Sequence, residues 1–174
     1  SKERLESFSY EVSRAPRNSP ATFLETLVNN DIAALNDLKN SISSEAIEQA
    51  VTLLQEAETI YVLGQLRSFS VAYNIRYLLL YLRQNVRLLD GSGGLATEEA
   101  ELMSEKSLLV AVSFRYYARE VVDIVEGTAR KNIPILAITD SQLSPLNKHA
   151  TCSLVVPGAG HKFSYSLAAS MCLA

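Results

Sequence analysis

The chain has 174 residues, 48% of them hydrophobic and 20% charged. That size and balance fit one globular domain and exclude a disordered tail, a collagen-like repeat or a coiled coil. The net charge of −3 lacks the basic footprint of a nucleic-acid binder, and no apolar run approaches the ~18–20 residues of a membrane span.

The opening, SKERLESFSYEV, is too charged for a secretory signal. Residues 1–20 are polar, with Pro16 and Pro20 near their end; they read as a short helix and a linker. From Thr22 to Asn40, Leu24, Leu27, Val28, Leu35 and Leu38 recur at helical spacing. Ser43 or Ser44 caps a second helix, with Glu45 in its first turn and Ile47, Ala50, Val51 and Leu54 as its stripe.

An alternation then begins. The segments 60–64, 85–91, 107–114, 133–140 and 151–158 are aliphatic runs, most of them ending in Gly, Ser or Asp. Near-continuous apolar runs suit strands buried on both faces. Helical segments lie between them at 67–83, 95–103 and 117–131, and a short one starts at Ser144–Pro145. Helix 117–131 turns Val121, Ile124, Val125 and Thr128 inward. The alternation predicts an α/β fold: a five-stranded, doubly wound parallel sheet of order 2-1-3-4-5, preceded by N-terminal helices. Helix 67–83 has two apolar stripes, one of Ala72, Ile75, Leu79 and Leu82, the other of Val71, Leu78 and Tyr81. The second stripe needs cover from the N-terminal helices or from a second copy of the chain.

In such a sheet a ligand sits at the switch point, here between the first and third strands. The candidate binding residues are therefore Gly64, Gln65, Arg67 and Ser68 in one turn, and Ser113, Arg115, Tyr116 and Glu120 in the other. First-turn amides, two hydroxyls and two guanidiniums suit a phosphate or a carboxylate. The plainer alternative is that Ser68 and Ser113 cap helices while the arginines are solvated. GSGG at 91–94 is a turn, or a place where a ligand nears the backbone; without GxGxxG no dinucleotide site is expected. Asp90 and Asp140 end strands, but no Lys follows the late strand as a phosphoacceptor domain requires.

His149 and His161 lack partners at metal spacing, so no metal is expected. His161 is a surface-loop histidine or a ligand contact. Cys152 and Cys172 make no disulfide framework; they read as inert core thiols in a reducing cytoplasm. No nucleophile–base–orienter triad is visible, and no cofactor is implied. The C-terminal FSYSLAASMCLA carries no helix stop signal, and the chain lacks an initiator Met. The expectation is one domain of a longer protein, its last helix truncated.

The order of two helices, YVLGQLRS, RLLDGSGG, VAVSFRYYARE, ILAITDSQLSPL and LVVP resembles the sugar isomerase (SIS) domain, in the form found as the effector domain of RpiR/MurR-type bacterial transcriptional regulators. The resemblance covers residues 22–174. It implies that 1–20 is the connector from an upstream helix-turn-helix domain, and that DNA is contacted only through that domain. The family's G-x-G-x-S turn is matched at Gly64 and Ser68, with Leu66 in place of the second Gly. Its S-x-S-G-x-T-x-E turn is matched at Ser113 and Glu120, with Arg115, Tyr116 and Ala118 replacing the second Ser, the Gly and the Thr. Arg115 then supplies a charge-assisted donor where the family has a hydroxyl. The implied function is non-enzymatic: a cytoplasmic homodimer or larger homo-oligomer that binds a small anionic sugar phosphate or sugar acid. Two other readings stay open, a sugar-phosphate isomerase using Glu98, Glu99 or His161 and a dimerisation module without a ligand.

Overall fold

The computed structural model describes residues 20–157 and 166–174. The connector expected over 1–20, apart from Pro20, and His161 lie outside the described residues.

The first two helices are α1 (Pro20–Ser41) and α2 (Ser44–Glu56). Pro20 opens α1, where a missing N–H costs no helical hydrogen bond. Ser43 caps α2, its hydroxyl accepting the Ala46 N–H at 3.2 Å. The sheet then builds through β1 (Thr59–Gly64), α3 (Ser68–Tyr81), β2 (Val86–Leu89), α4 (Ala96–Glu101), β3 (Ser107–Val112), α5 (Arg119–Arg130), β4 (Ile135–Thr139) and β5 (Cys152–Val155), and α6 (Ala168–Leu173) follows. The five strands are all parallel, in the order β2-β1-β3-β4-β5. The parallel pairing follows from the central strands: every residue of β3 and β4 is buried, which requires cover on both faces.

Alternate residues divide the core. Ile60, Val62, Leu108, Val110, Leu136 and Ile138 face the layer of α1, α2, α3 and α6. Tyr61, Leu63, Leu109, Ala111, Ile135 and Ala137 face α4, α5 and the 3₁₀ turn Pro145–Lys148. Burying a Leu or Ile at such a site contributes about 1.5–3 kcal/mol, so the two faces together dominate stability. On α5, Val121, Ile124, Val125 and Thr128 are the buried residues, as the 3.6-residue period predicts. Ser144 caps the 3₁₀ turn through Leu146 N–H at 3.3 Å.

Two helix faces differ from expectation. On α3, Val71 is fully buried against the sheet beside Ala72, Ile75 and Leu79, while Leu82 is exposed. The outer face keeps Leu78 and Tyr81 of the second stripe and adds Phe69, Tyr73, Tyr77 and Leu80. The physical reason is that Val71 and Ala72 together bracket the line of contact with β1, so both stripes begin inside. On α1 the buried residue is Ala34, whereas Leu24, Val28 and Ile32 are exposed. Among the described residues, no helix is long and apolar enough to cross a membrane.

Candidate functional site

β1 sends its crossover helix α3 to one face of the sheet, and β3 sends α5 to the other. Their connections diverge, which opens a crevice at the carboxyl ends of the two strands. Gly64 and Val112 are register partners there, so the segments 64–68 and 113–120 leave from adjacent positions.

The first segment is shaped by Gly64. A Cβ at this position would lie 2.8 Å from the Ala72 Cβ and 2.8 Å from the Ser68 carbonyl oxygen. Only a glycine lets α3 come this close to the strand end. The chain then turns through Leu66, which takes a left-handed φ of 55°. The Ser68 and Phe69 amides donate to the Gln65 and Leu66 carbonyls at 3.1 and 3.3 Å. Ser68 does not cap α3. It is the helix's first residue, Arg67 holds the cap position, and among the described residues no side-chain hydrogen bond caps that end.

The second segment is held from β4. Ser113 N–H donates to the Ile138 carbonyl at 3.1 Å. The Asp140 carboxylate accepts the Arg115 N–H at 2.8 Å and the Tyr117 hydroxyl at 2.9 Å. Burial, and then this bond to Asp140, push the Tyr117 phenol above its ordinary pKa, so it remains a donor at neutral pH. Tyr116 has a left-handed φ of 73°, and the Arg115 guanidinium sits 5.0 Å from its ring centroid. The cap position of α5 is Ala118, which offers no side-chain cap.

The Gln65 side-chain amide donates to the Glu120 carboxylate and ties the two segments together across the crevice. Ser68 is 5% exposed and Ser113 3% exposed. Among the described residues neither hydroxyl makes a hydrogen bond, and neither serine is a helix cap. Two helix N-termini without capping side chains therefore meet two uncommitted hydroxyls. This is donor chemistry suited to an anion. Arg67 and Arg115 are exposed at its edge.

The 91–94 turn approaches from β2: the Gln65 Nε2 lies 4.0 Å from where a Gly91 Cβ would be. Asp90 accepts the Ser92 N–H at 2.8 Å, and that bond lowers its pKa. Glu98 and Glu99 are exposed on α4. No side-chain hydrogen bond or ion pair among the described residues joins either to the crevice. His149 faces Glu126 at 4.0 Å. Cys152 is buried, and burial raises its thiol pKa; Cys172 is exposed.

Two residues stood outside the sequence-based set. Asp140 anchors the second segment, and its signal was its place at the end of β4, the strand beside β3. Leu66 carries a left-handed backbone, and its signal was the Gly that the resembling family has at this position.

The family model described as the SIS domain matches residues 53–174. The fold is similar to the sugar isomerase domain of an RpiR transcription factor from Sphaerobacter thermophilus, with 29% identity and a TM-score of 0.81 over 86% of this chain and 83% of that one. It is also similar to the Vibrio vulnificus NanR protein complexed with ManNAc-6P, with 21% identity and a TM-score of 0.78 over 87% of this chain and 58% of that one. Among curated relatives, the "Bifunctional protein glk" of Burkholderia thailandensis is 27% identical over 129 residues, 74% of this chain and 20% of that protein. The chain thus spans about a fifth of the length of the curated relatives it matches.

Proposed function

Since the chain belongs to the SIS domain family, we propose that it is a sensor. It binds a small anionic sugar derivative, a sugar phosphate or a sugar acid, between residues 64–68 and 113–120. Binding adjusts the DNA affinity of a helix-turn-helix domain outside this sequence, with residues 1–20 as the connector and residues 21–174 as the effector-binding domain. The observation that carries the reading is the meeting, among the described residues, of two helix N-termini without capping side chains with the buried residues Ser68 and Ser113, whose hydroxyls have no described hydrogen-bond partner. Likeness to the RpiR transcription factor supports the regulatory role, and the ManNAc-6P bound to NanR supports the ligand class.

Binding without turnover is supported by the commitments of the carboxylates. Glu120 is engaged by Gln65, and Asp140 by two donors on the second segment. Glu98 and Glu99, the carboxylates an isomerase would use, lie exposed on α4 with no described side-chain bond to the crevice. The net charge of −3 supports leaving DNA contact to another domain, because nothing in the chain concentrates the cations that phosphate contact requires. A cytoplasmic homodimer is part of the proposal. Its interface is the outer face of α3, where Phe69, Tyr73, Tyr77 and Tyr81 lie exposed at successive turns.

The test is a thermal-shift screen of sugar phosphates and sugar acids, with light scattering of the free chain. A true effector at about 100 times its Kd adds roughly 2.7 kcal/mol, which raises Tm by about 5–10 °C at this size. Absence of any shift across the panel counts against the ligand reading. A monomer at micromolar concentration counts against the interface.

A further inference from the structure

Several of the amides that border the crevice are already taken. The Ser68 and Phe69 N–H groups donate to the Gln65 and Leu66 carbonyls at 3.1 and 3.3 Å. The Ser113 N–H donates to the Ile138 carbonyl at 3.1 Å, and the Arg115 N–H to the Asp140 carboxylate at 2.8 Å. These groups serve the fold. Beside them stand three side-chain donors. The hydroxyls of Ser68 and Ser113 belong to buried residues and have no described hydrogen-bond partner. The Arg115 guanidinium is exposed and lies 5.0 Å from the Tyr116 ring centroid. That contact engages its charge through the ring face and leaves its N–H fork for a ligand.

Charge points the same way. Two carboxylates border the crevice, and both are held by neutral donors: Glu120 by the Gln65 side-chain amide, Asp140 by the Arg115 N–H and the Tyr117 hydroxyl. Among the described residues no ion pair joins either to a cation. Coulomb repulsion scales with the ligand's charge, so these groups oppose a dianion about twice as strongly as a monoanion. A phosphate monoester brings a charge of roughly −1.5 to −2 on three acceptor oxygens. A carboxylate brings a single charge on two oxygens with about four lone-pair sites. One O–H from each serine and two N–H groups from the guanidinium fork match those sites.

We infer that Arg115 is a specificity-determining residue which, with Ser68 and Ser113, selects a carboxylate over a phosphate, so that the site prefers a sugar acid to a sugar phosphate. This inference rests on the ligand-site reading above and narrows it. The planar fork takes both carboxylate oxygens at once, and each serine hydroxyl donates to a remaining lone pair. A phosphate meets the same fork with two of its oxygens and leaves the third short of donors. It also brings more negative charge beside Glu120 and Asp140.

The experiment is calorimetric titration of the chain with gluconate, glucuronate, glucose 6-phosphate and fructose 6-phosphate, repeated with Arg115→Lys. Lysine keeps the charge at this exposed position but lacks the planar fork, and thermal melts verify that the variant keeps its fold. The expected result is that one of the sugar acids binds at least tenfold tighter than either sugar phosphate. In the variant that acid loses at least fivefold in affinity, while the sugar phosphates stay within twofold, because lysine meets a phosphate as a point charge. A sugar phosphate that binds as tightly as the acids, or more tightly, overturns the inference and leaves the ligand site standing. No binding of any of the four overturns both. A variant that weakens all of them alike makes Arg115 a general cation, and one that weakens none makes it a bystander; either result overturns its role in selection.

Discussion

Replacing Gly64 by alanine tests whether the close approach of α3 to β1 builds the first half of the site. The added Cβ would meet the Ala72 Cβ and the Ser68 carbonyl oxygen, each at 2.8 Å against the 3.4 Å at which ordinary contact begins, so both are about 0.6 Å short. One wall is main chain and cannot rotate away, so the helix has to shift. Overpacking of this kind costs about 1–3 kcal/mol, and the rigid wall places this case near the upper end. Alanine also reduces the freedom of the unfolded chain, which offsets about 0.4–1 kcal/mol. The net loss is about 2 kcal/mol, which lowers Tm by roughly 4–8 °C for a chain of this length. Thermal unfolding followed by circular dichroism reads the shift, provided the transition is two-state. The same displacement moves Ser68 and the first-turn amides, so ligand affinity falls by more than the small population of unfolded chain explains. A variant that melts within about 1 °C of the parent would refute the argument that close packing fixes this turn.

Three further outcomes are expected. Asp140→Ala removes both acceptor oxygens, so the Arg115 N–H and the Tyr117 hydroxyl lose their partner together; stability falls by about 1–3 kcal/mol, and an unchanged denaturant midpoint argues against Asp140 as the anchor. Tyr117 should ionise above the ordinary tyrosine value of about 10, because burial and Asp140 favour its neutral form; its contribution to stability is therefore present below that pH and is lost as pH rises through the folded value. Spectrophotometric titration against Tyr117→Phe isolates this phenol, and a midpoint at or below about 10 contradicts the assignment. Arg115→Ala should weaken an acidic ligand by about 1.5–3 kcal/mol, the scale of a charged hydrogen bond and roughly 10- to 150-fold in Kd; unchanged affinity would leave Arg115 with only its stacking on Tyr116.

The sheet was legible because its signals are local. The central strands are unbroken apolar runs, and the period-3.6 stripe of Val121, Ile124, Val125 and Thr128 is the buried face observed on α5. Strand order followed from handed crossovers rather than from any single residue. Less legible were the features that depend on what lies opposite. The stripe on α1 shows which residues share a face, yet Leu24 and Val28 are exposed, and Ala34 with Leu38 makes the core contact. Periodicity does not say what covers a face. The plainer alternative for Ser68, a helix cap, fails because the helix starts one position earlier than that role requires. Leu and Tyr themselves disfavour the left-handed turns at positions 66 and 116, and the signal there was the Gly that the resembling family carries at both. Asp140 was hidden because its partners lie 23 and 25 residues away, and only the pairing of β3 with β4 brings them together.

The central claim is that the crevice between residues 64–68 and 113–120 holds an anionic sugar through Ser68 and Ser113. Its direct test is calorimetric titration of the chain and of the double variant Ser68→Ala/Ser113→Ala with the sugar phosphate that gives the largest thermal shift. Alanine fits both sites, and because neither hydroxyl is bonded among the described residues, the melting temperature should hold within about 2 °C, the equivalent of some 0.5 kcal/mol. The account predicts saturable binding of one ligand per chain, weakened at least tenfold in the double variant. Equal affinity in the two proteins would contradict it.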